Sequence, residues 1–234
     1  SFADKMLERS KSWTKLFNPE QKDENAEFRG FIVPRKEDGR FIDIPVRKSY
    51  ASWVEYFYEG NSWTYSLLIP HDFERLLSLC GGREEMIRRL EYGFNHELIA
   101  LWNEPGFLSP FIFHHCGRPE LSAKYVSMLR QKNYSLENGF CDNEDSGAMG
   151  SWYVFTGLGL FPNAGQDYYY VLPPAYAEAT LQLANGRQLH ITRDITCYPF
   201  TKVKAVYLNG RLQKGFTLRH AYIMKGGELK FVLE

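Results

Sequence analysis

The sequence predicts a mixed, mainly α chain: a run of helices over residues 1–165, then an antiparallel β segment over 166–234 that forms part of a sandwich. Two observations predict it. From Phe2 to Asn133 the apolar residues recur at helical spacing, in short pieces separated by loops that carry polar side chains. From Asp167 the period changes to two, in short runs punctuated by Asn185-Gly186, Asn209-Gly210 and Gly226-Gly227, which read as hairpin turns. Helices joined by chemically rich loops suggest a helical toroid with its site at one rim; a generic helical bundle is the alternative.

Taken in order, residues 2–17 place Phe2, Met6, Leu7, Trp13, Leu16 and Phe17 on one helix face, and Asn18-Pro19 stops that helix. Residues 18–49 are polar and broken by Pro34, Gly39 and Pro45, so they read as a long loop with short apolar pieces such as Phe31-Ile32-Val33. In 51–72, an apolar face of Trp53, Val54, Phe57 and Tyr58 is interrupted by Glu59-Gly60-Asn61. Trp63, Tyr65, Leu67, Leu68 and Ile69 resume it until Pro70-His71-Asp72. Residues 73–80 and 84–93 read as amphipathic helices separated by Gly81-Gly82, and 97–106 end a further apolar segment with Asn103-Glu104-Pro105-Gly106. His114 and His115 follow; neighbours in sequence point different ways on a helix, which argues against a joint metal site. Residues 119–133 are helical again, with Leu121, Tyr125, Met128 and Leu129 inward. The six strand candidates are 168–173, 179–186, 187–194, 203–210, 216–223 and 228–234, with the domain boundary at 163–166.

Composition narrows the function classes. Hydrophobic residues make up 44% of the 234-residue chain, enough for a sizeable core and too many for disorder. Lys plus Arg and Asp plus Glu are 28 each, so there is no basic footprint for nucleic acid. No apolar run approaches a membrane span. The cysteines at 80, 116, 141 and 197 lack CxxC spacing, which disfavours zinc and thioredoxin-type chemistry. Cys141, with His114 or His115, makes a poor nucleophile because neighbouring carboxylates raise a thiol pKa.

Two stretches carry the chemistry. Residues 141–162, CDNEDSGAMGSWYVFTGLGLFP, open with Asp142, Asn143, Glu144 and Asp145 and then turn sharply apolar. Asp145 and Ser146 stand where an N-cap belongs, so an acidic loop feeds a buried helix that Gly157, Gly159 and Pro162 end. Carboxylates against an apolar wall cost stability unless they are paired, hydrogen-bonded or metal-bound. The stretch is therefore either a capped helix behind a solvated loop or half of a site. Glu59, flanked by aromatics, has the setting of a general acid if it is buried; otherwise it is a helix-end carboxylate facing water. Asn103-Glu104 offers side-chain and backbone oxygens to a cation.

YEGNSWTYSLLIPHD (58–72), WNEPGFLSPFIFHHCGRP (102–119), the acidic stretch 141–162, and a tail with LNG (208–210) and IMKGGEL (223–229) together resemble the glycoside hydrolase family 92 α-mannosidases, in order and spacing over nearly the whole chain. The resemblance implies part of an (α/α)6 barrel packed on a β-sandwich. It implies a calcium-dependent, inverting exo-α-mannosidase that removes non-reducing-end mannose, α-1,2-linked, from glycans such as N-glycans. By the same resemblance Glu59 is the general acid, with Glu104 as second choice, and Asp145 is the base. Asn61, Trp63, His71, Asp72, Asn143 and Glu144 touch substrate, and Asn103 and Glu104 contribute to Ca2+. A secreted or periplasmic setting is implied too, as is a parent chain with an N-terminal β-sandwich domain; Ser1-Phe2-Ala3-Asp4 reads as a cut into a longer protein.

This chain departs from the pattern in three places. Gly106, Phe107 and Leu108 follow NEP where the family has Ser and a His pair. Ala148 replaces a Gln, and Thr64 stands in the middle of the usual WQY. Those departures leave linkage open and motivate the alternative of a catalytically silent mannoside-binding or structural member. Retention of Glu59 and Asp145 favours the enzyme, since an inverting glycosidase needs two carboxyls with a water between base and sugar. A lyase ranks third, because it would want a Tyr or His base.

Overall fold

Ser1 starts the first helix by a reciprocal cap: its hydroxyl accepts from Asp4 N, and the Asp4 carboxylate returns the bond to the Ser1 amine. The computed structural model describes residues 1–49, 55–99, 102–194 and 202–234, which group into two units, Ser1–Ser109 and Pro110–Glu234. Trp53, Val54 and Cys197 lie outside the described residues.

In the first unit, α1 (Phe2–Ser10) is shorter than the helix expected over 2–17 and tightens into a 3-10 turn, Lys11–Lys15. The expected loop 18–49 instead contains a hairpin of β1 (Phe17–Lys22) and β2 (Arg29–Ile32), paired antiparallel. The hairpin carries little period-two signal because Gly30, Phe31 and Ile32 are buried in succession. Ser66 Oγ accepts from Ile32 N at 2.8 Å and ties β2 to the chain that follows α2 (Ser62–Tyr65). The helices α3 (Phe73–Leu79) and α4 (Arg83–Asn95) form as expected. Beneath them Trp63 packs edge-on against Phe28 and Phe31, with ring centroids 5.5 and 5.4 Å apart. The buried Arg89 guanidinium lies 4.0 Å from the Phe31 ring centre and donates to the Gly30 carbonyl at 2.7 Å.

The second unit begins with α5 (Ile112–His115) and α6 (Pro119–Asn133). A tight pair, β3 (Tyr134–Ser135) and β4 (Gly139–Phe140), leads to α7 (Ala148–Gly157) and β5 (Leu160–Pro162). The remaining elements are β6 (Tyr168–Val171), β7 (Glu178–Gln182), β8 (Gln188–Arg193), β9 (Val203–Leu208), β10 (Arg211–Leu212), β11 (Thr217–Arg219), α8 (His220–Ile223) and β12 (Gly227–Leu233). One sheet runs β10-β9-β12-β8-β7 and the other β11-β6-β5. Leu160, Val171 and Leu218 from the smaller sheet share an apolar core with Leu189, Ile191, Val206, Leu229 and Phe231 from the larger.

Three expectations for this region are corrected. The segment is not wholly antiparallel: β12 runs parallel to β8 and antiparallel to β9. The hairpins at Asn185-Gly186 and Asn209-Gly210 form, but Gly226-Gly227 leads from α8 into β12 and closes no hairpin. The strand expected over 216–223 ends at Arg219, where the chain coils into α8 and buries Ile223. Residues 163–166, expected to form a boundary, lie between the paired strands β5 and β6 of this unit.

His114 and His115 make different hydrogen bonds. His114 is held at Nδ1 by Ser122 Oγ (2.7 Å) and at Nε2 by the Val171 carbonyl (3.0 Å), while His115 Nε2 lies 2.8 Å from Tyr170 Oη. Burial lowers the His114 pKa to about 4, against a smaller opposing pull from the Val171 carbonyl.

Candidate active site

Within the first unit the fold brings the EGN and NEP motifs together. Asn103 is buried and caps the 3-10 turn Glu104–Gly106, its Oδ1 accepting from Glu104 N at 2.7 Å. Its Nδ2 donates to Glu59 Oε2 at 2.7 Å, across a sequence separation of 44. Glu59 is half-buried and has a left-handed backbone, φ 47°, a costly conformation for a residue with a Cβ. Its Oε1 has no partner among the described residues. Glu59 is not sealed in an apolar setting, and Tyr58 beside it is 50% exposed.

The residues after Glu59 lock the turn. A Cβ on Gly60 would sit 2.9 Å from the Tyr65 ring, so only glycine lets that ring close over the loop. Tyr65 Oη donates to the Tyr58 carbonyl at 2.6 Å. The Tyr65 pKa is raised, first by burial and then by the nearby charge of Glu59.

Three expected substrate contacts have other occupations. Asn61 is buried and caps α2: Oδ1 accepts from Thr64 N at 2.8 Å, and Nδ2 donates to the Leu98 carbonyl at 2.9 Å. Trp63 is 0% exposed and has no face to offer a sugar; its Nε1 donates to Asp23 Oδ2 at 2.8 Å. Glu144, in the second unit, uses both carboxylate oxygens to accept from Gly150 N at 2.9 and 3.0 Å. Of the remaining contacts, His71 is exposed with Nε2 donating to the Ser10 carbonyl at 2.9 Å, and Asp72 accepts from Trp13 Nε1 at 3.0 Å.

The acidic stretch is also capped differently from expectation. Asp145 begins a 3-10 turn, Asp145–Gly147, and Gly147 in the left-handed region is the N-cap of α7. Glu144 therefore satisfies one of the open N–H groups of α7, that of Gly150, instead of Asp145 or Ser146. A Cβ on Gly150 would lie 2.7 Å from Glu144 Oε1, which explains the glycine there. Asn143 and Asp145 are exposed, and their side chains have no partner among the described residues. Burial, and secondarily Asp142, holds the Cys141 thiol above its ordinary pKa, against a nucleophilic role.

Asp23 and Arg47, which nothing in the local sequence pattern singled out, support the first of these places. The Asp23 carboxylate accepts from Arg47 Nε at 2.8 Å and from Trp63 Nε1, fixing the floor under α2. Among the described residues no three His, Cys, Asp or Glu side chains gather as a metal site. Glu104 is half-buried and its carboxylate has no partner among the described residues; with Asn103 Oδ1 it is a hard oxygen donor of the kind Ca2+ takes. Two such donors fit the ion's chemistry, and its remaining ligands would be water, sugar hydroxyls or other chain segments.

Among the described residues no helix is long and apolar enough to cross a membrane. A protein of Arthroderma benhamiae named an uncharacterized secreted glycosidase is 30% identical over 98% of this chain, which spans 32% of that relative. A family GH92 inverting mannosidase of Bacteroides thetaiotaomicron is 25% identical, with a TM-score of 0.84 over 99% of this chain and 34% of its own. A GH92 α-mannosidase of the same organism, solved with mannoimidazole, shares the fold at 23% identity and TM-score 0.84, over 97% of this chain and 32% of its own. The chain thus spans about a third of the length of these relatives. The model of the glycosyl hydrolase family 92 catalytic domain matches residues 1–234, every residue of the chain, and the chain belongs to that family.

Proposed function

We propose that the protein containing this chain is a calcium-assisted exo-α-mannosidase that releases non-reducing-end α-linked mannose, α-1,2 as first choice, from glycans with inversion. The observation that carries the reading is the Glu59–Asn103 bond. It joins two motifs distant in sequence and holds a carboxylate in a backbone conformation that has a cost. The match to the family's catalytic domain supports the rest, including the (α/α)6 barrel, to which 1–165 would contribute, and the sandwich, to which 166–234 would contribute. The relative named as secreted supports a secreted or periplasmic setting.

Glu59 is the general acid in this reading. Because Asn103 donates to Oε2, that oxygen is an acceptor, and the transferable proton belongs on Oε1. It passes to the glycosidic oxygen as the bond to the anomeric carbon breaks. Asp145, with no competing partner among the described residues, takes a proton from the water that attacks the opposite face, giving the inverted hydroxyl. Both carboxyls return to their starting states by exchange with solvent. Asn143, His71 and Asp72 are assigned to substrate hydroxyls, whereas Asn61, Trp63 and Glu144 hold structure. Glu104 and Asn103 would help hold Ca2+, which when bound supplies a hard Lewis acid for neighbouring mannose hydroxyls.

The test uses the full-length protein. Mannose release from α-mannosides should be abolished by EDTA and restored by Ca2+; an insensitive rate removes the calcium part. Glu59→Gln should lose about 10²–10⁴-fold on disaccharides and far less on activated aryl mannosides, because only poor leaving groups need protonation. Equal losses on both substrates, or an unchanged rate in Asp145→Asn, would remove those residues from their roles.

A further inference from the structure

The second unit contains a cavity of about 320 Å³ whose chemistry is not that of a neutral sugar site. Val126 of α6 with Leu172, Pro173 and Ala175 supply its apolar wall, and Arg130 and Arg193 bring two guanidinium groups to it. Among the described residues no carboxylate lines it.

Arg130 is held in place before any ligand arrives. Its guanidinium lies 3.8 Å from the Tyr153 ring centre, and Nη1 donates to the Tyr153 carbonyl and to Thr156 Oγ1 at 2.9 Å. Gly157 makes room for it, since a Cβ there would stand 3.1 Å from Nη2. Nη2 and Nε have no hydrogen-bond partner among the described residues and are not sealed from solvent. Arg193 is braced on two carbonyls, Tyr176 at 3.1 Å from Nε and Ala175 at 3.4 Å from Nη2. A fixed guanidinium edge beside apolar walls matches a planar anion on an apolar body, and the volume is within the range of small-ligand pockets.

We propose that this cavity binds a small organic carboxylate carried on a compact apolar body, as a site separate from the glycosidase chemistry. The competing account is purely structural: Arg130 ties down the Tyr153 carbonyl and the Thr156 hydroxyl of α7 and recognises nothing. A structural arginine has no reason to prefer an acid over its neutral isostere, and that difference decides the matter.

The experiment is a calorimetric titration of the full-length protein with 3-phenylpropionate and, separately, with 3-phenylpropanamide at low salt. Saturable binding of the acid, one per chain, is expected, with the amide weaker by about tenfold or more and the acid weakened by added salt. Arg130→Met, which keeps the stem and removes the charge, should lose a similar factor for the acid. Equal affinity of acid and amide would overturn the proposal, as would no saturation up to about 10 mM or an undiminished affinity in folded Arg130→Met. Should that variant fail to fold, the two ligands on the unmodified protein still decide.

Discussion

Asp23→Ala is the sharpest test of how the first unit is held. The Asp23 side chain is 0% exposed and accepts from Arg47 Nε at 2.8 Å, Trp63 Nε1 at 2.8 Å and Asn25 N at 2.9 Å. Burial opposes its charge, yet Arg47, the Asn25 N–H and Trp63 together keep the carboxyl below its ordinary pKa. Removing one partner of a buried pair costs about 3–5 kcal/mol. Arg47 retains 22% exposure and a bond to Tyr92 Oη at 2.9 Å, so it can rehydrate in part, and the low end, about 3 kcal/mol, is expected. In urea, with a slope of about 2 kcal/mol/M, the midpoint should fall by about 1.5 M, followed by tryptophan fluorescence. Adding Arg47→Met should recover part of the loss, by removing a charge left with Glu24 Oε2 at 3.9 Å as its remaining ion-pair partner. The sign with pH is fixed as well. A carboxyl whose folded pKa lies below its unfolded value stabilises above the unfolded pKa, and that contribution is lost as pH falls through the folded one. The two proteins should therefore converge in strong acid. A loss under about 1 kcal/mol at neutral pH would refute the account of Asp23 as the floor under α2.

Three further outcomes follow from the second unit. Because desolvation holds His114 neutral, with a pKa lowered to about 4, its unfolded form binds the proton first, so stability should drop as pH falls from about 6.5 to about 4, by up to about 3 kcal/mol. Guanidinium titrations at stepped pH should show that slope in the wild type and lack it in His114→Gln; identical slopes would contradict the assignment. Glu144→Ala should cost about 1 kcal/mol by calorimetry, through loss of the bonds to Gly150 N, and no change would mean the cap is not formed in solution. Gly150→Ala should be destabilising in the wild type, where the new methyl meets Glu144 Oε1, but stabilising by up to about 1 kcal/mol in the Glu144→Ala background. The same sign in both backgrounds would break the link between the two residues.

The sequence by itself determined the elements whose signal is local. The helices α3, α4 and α6 follow from apolar spacing, and the turns at Asn185-Gly186 and Asn209-Gly210 follow from residues that accept positive φ. The motifs that mark the family are also contiguous, so they were readable without coordinates. Tertiary structure alone decided what depends on partners far along the chain. The β1–β2 hairpin is invisible as a period because one strand is buried on consecutive residues. The parallel pairing of β12 with β8 depends on how the chain returns through α8, which no single stretch encodes. Trp63 sits in a motif that reads as sugar-binding, yet a carboxylate forty positions earlier in sequence draws its indole N–H into the core. Likewise four adjacent oxygen-bearing side chains look alike in sequence. Only the placement of α7 gives Glu144 a helix end to cap and leaves Asp145 uncommitted, because a hydrogen bond selects by distance and direction and not by residue type.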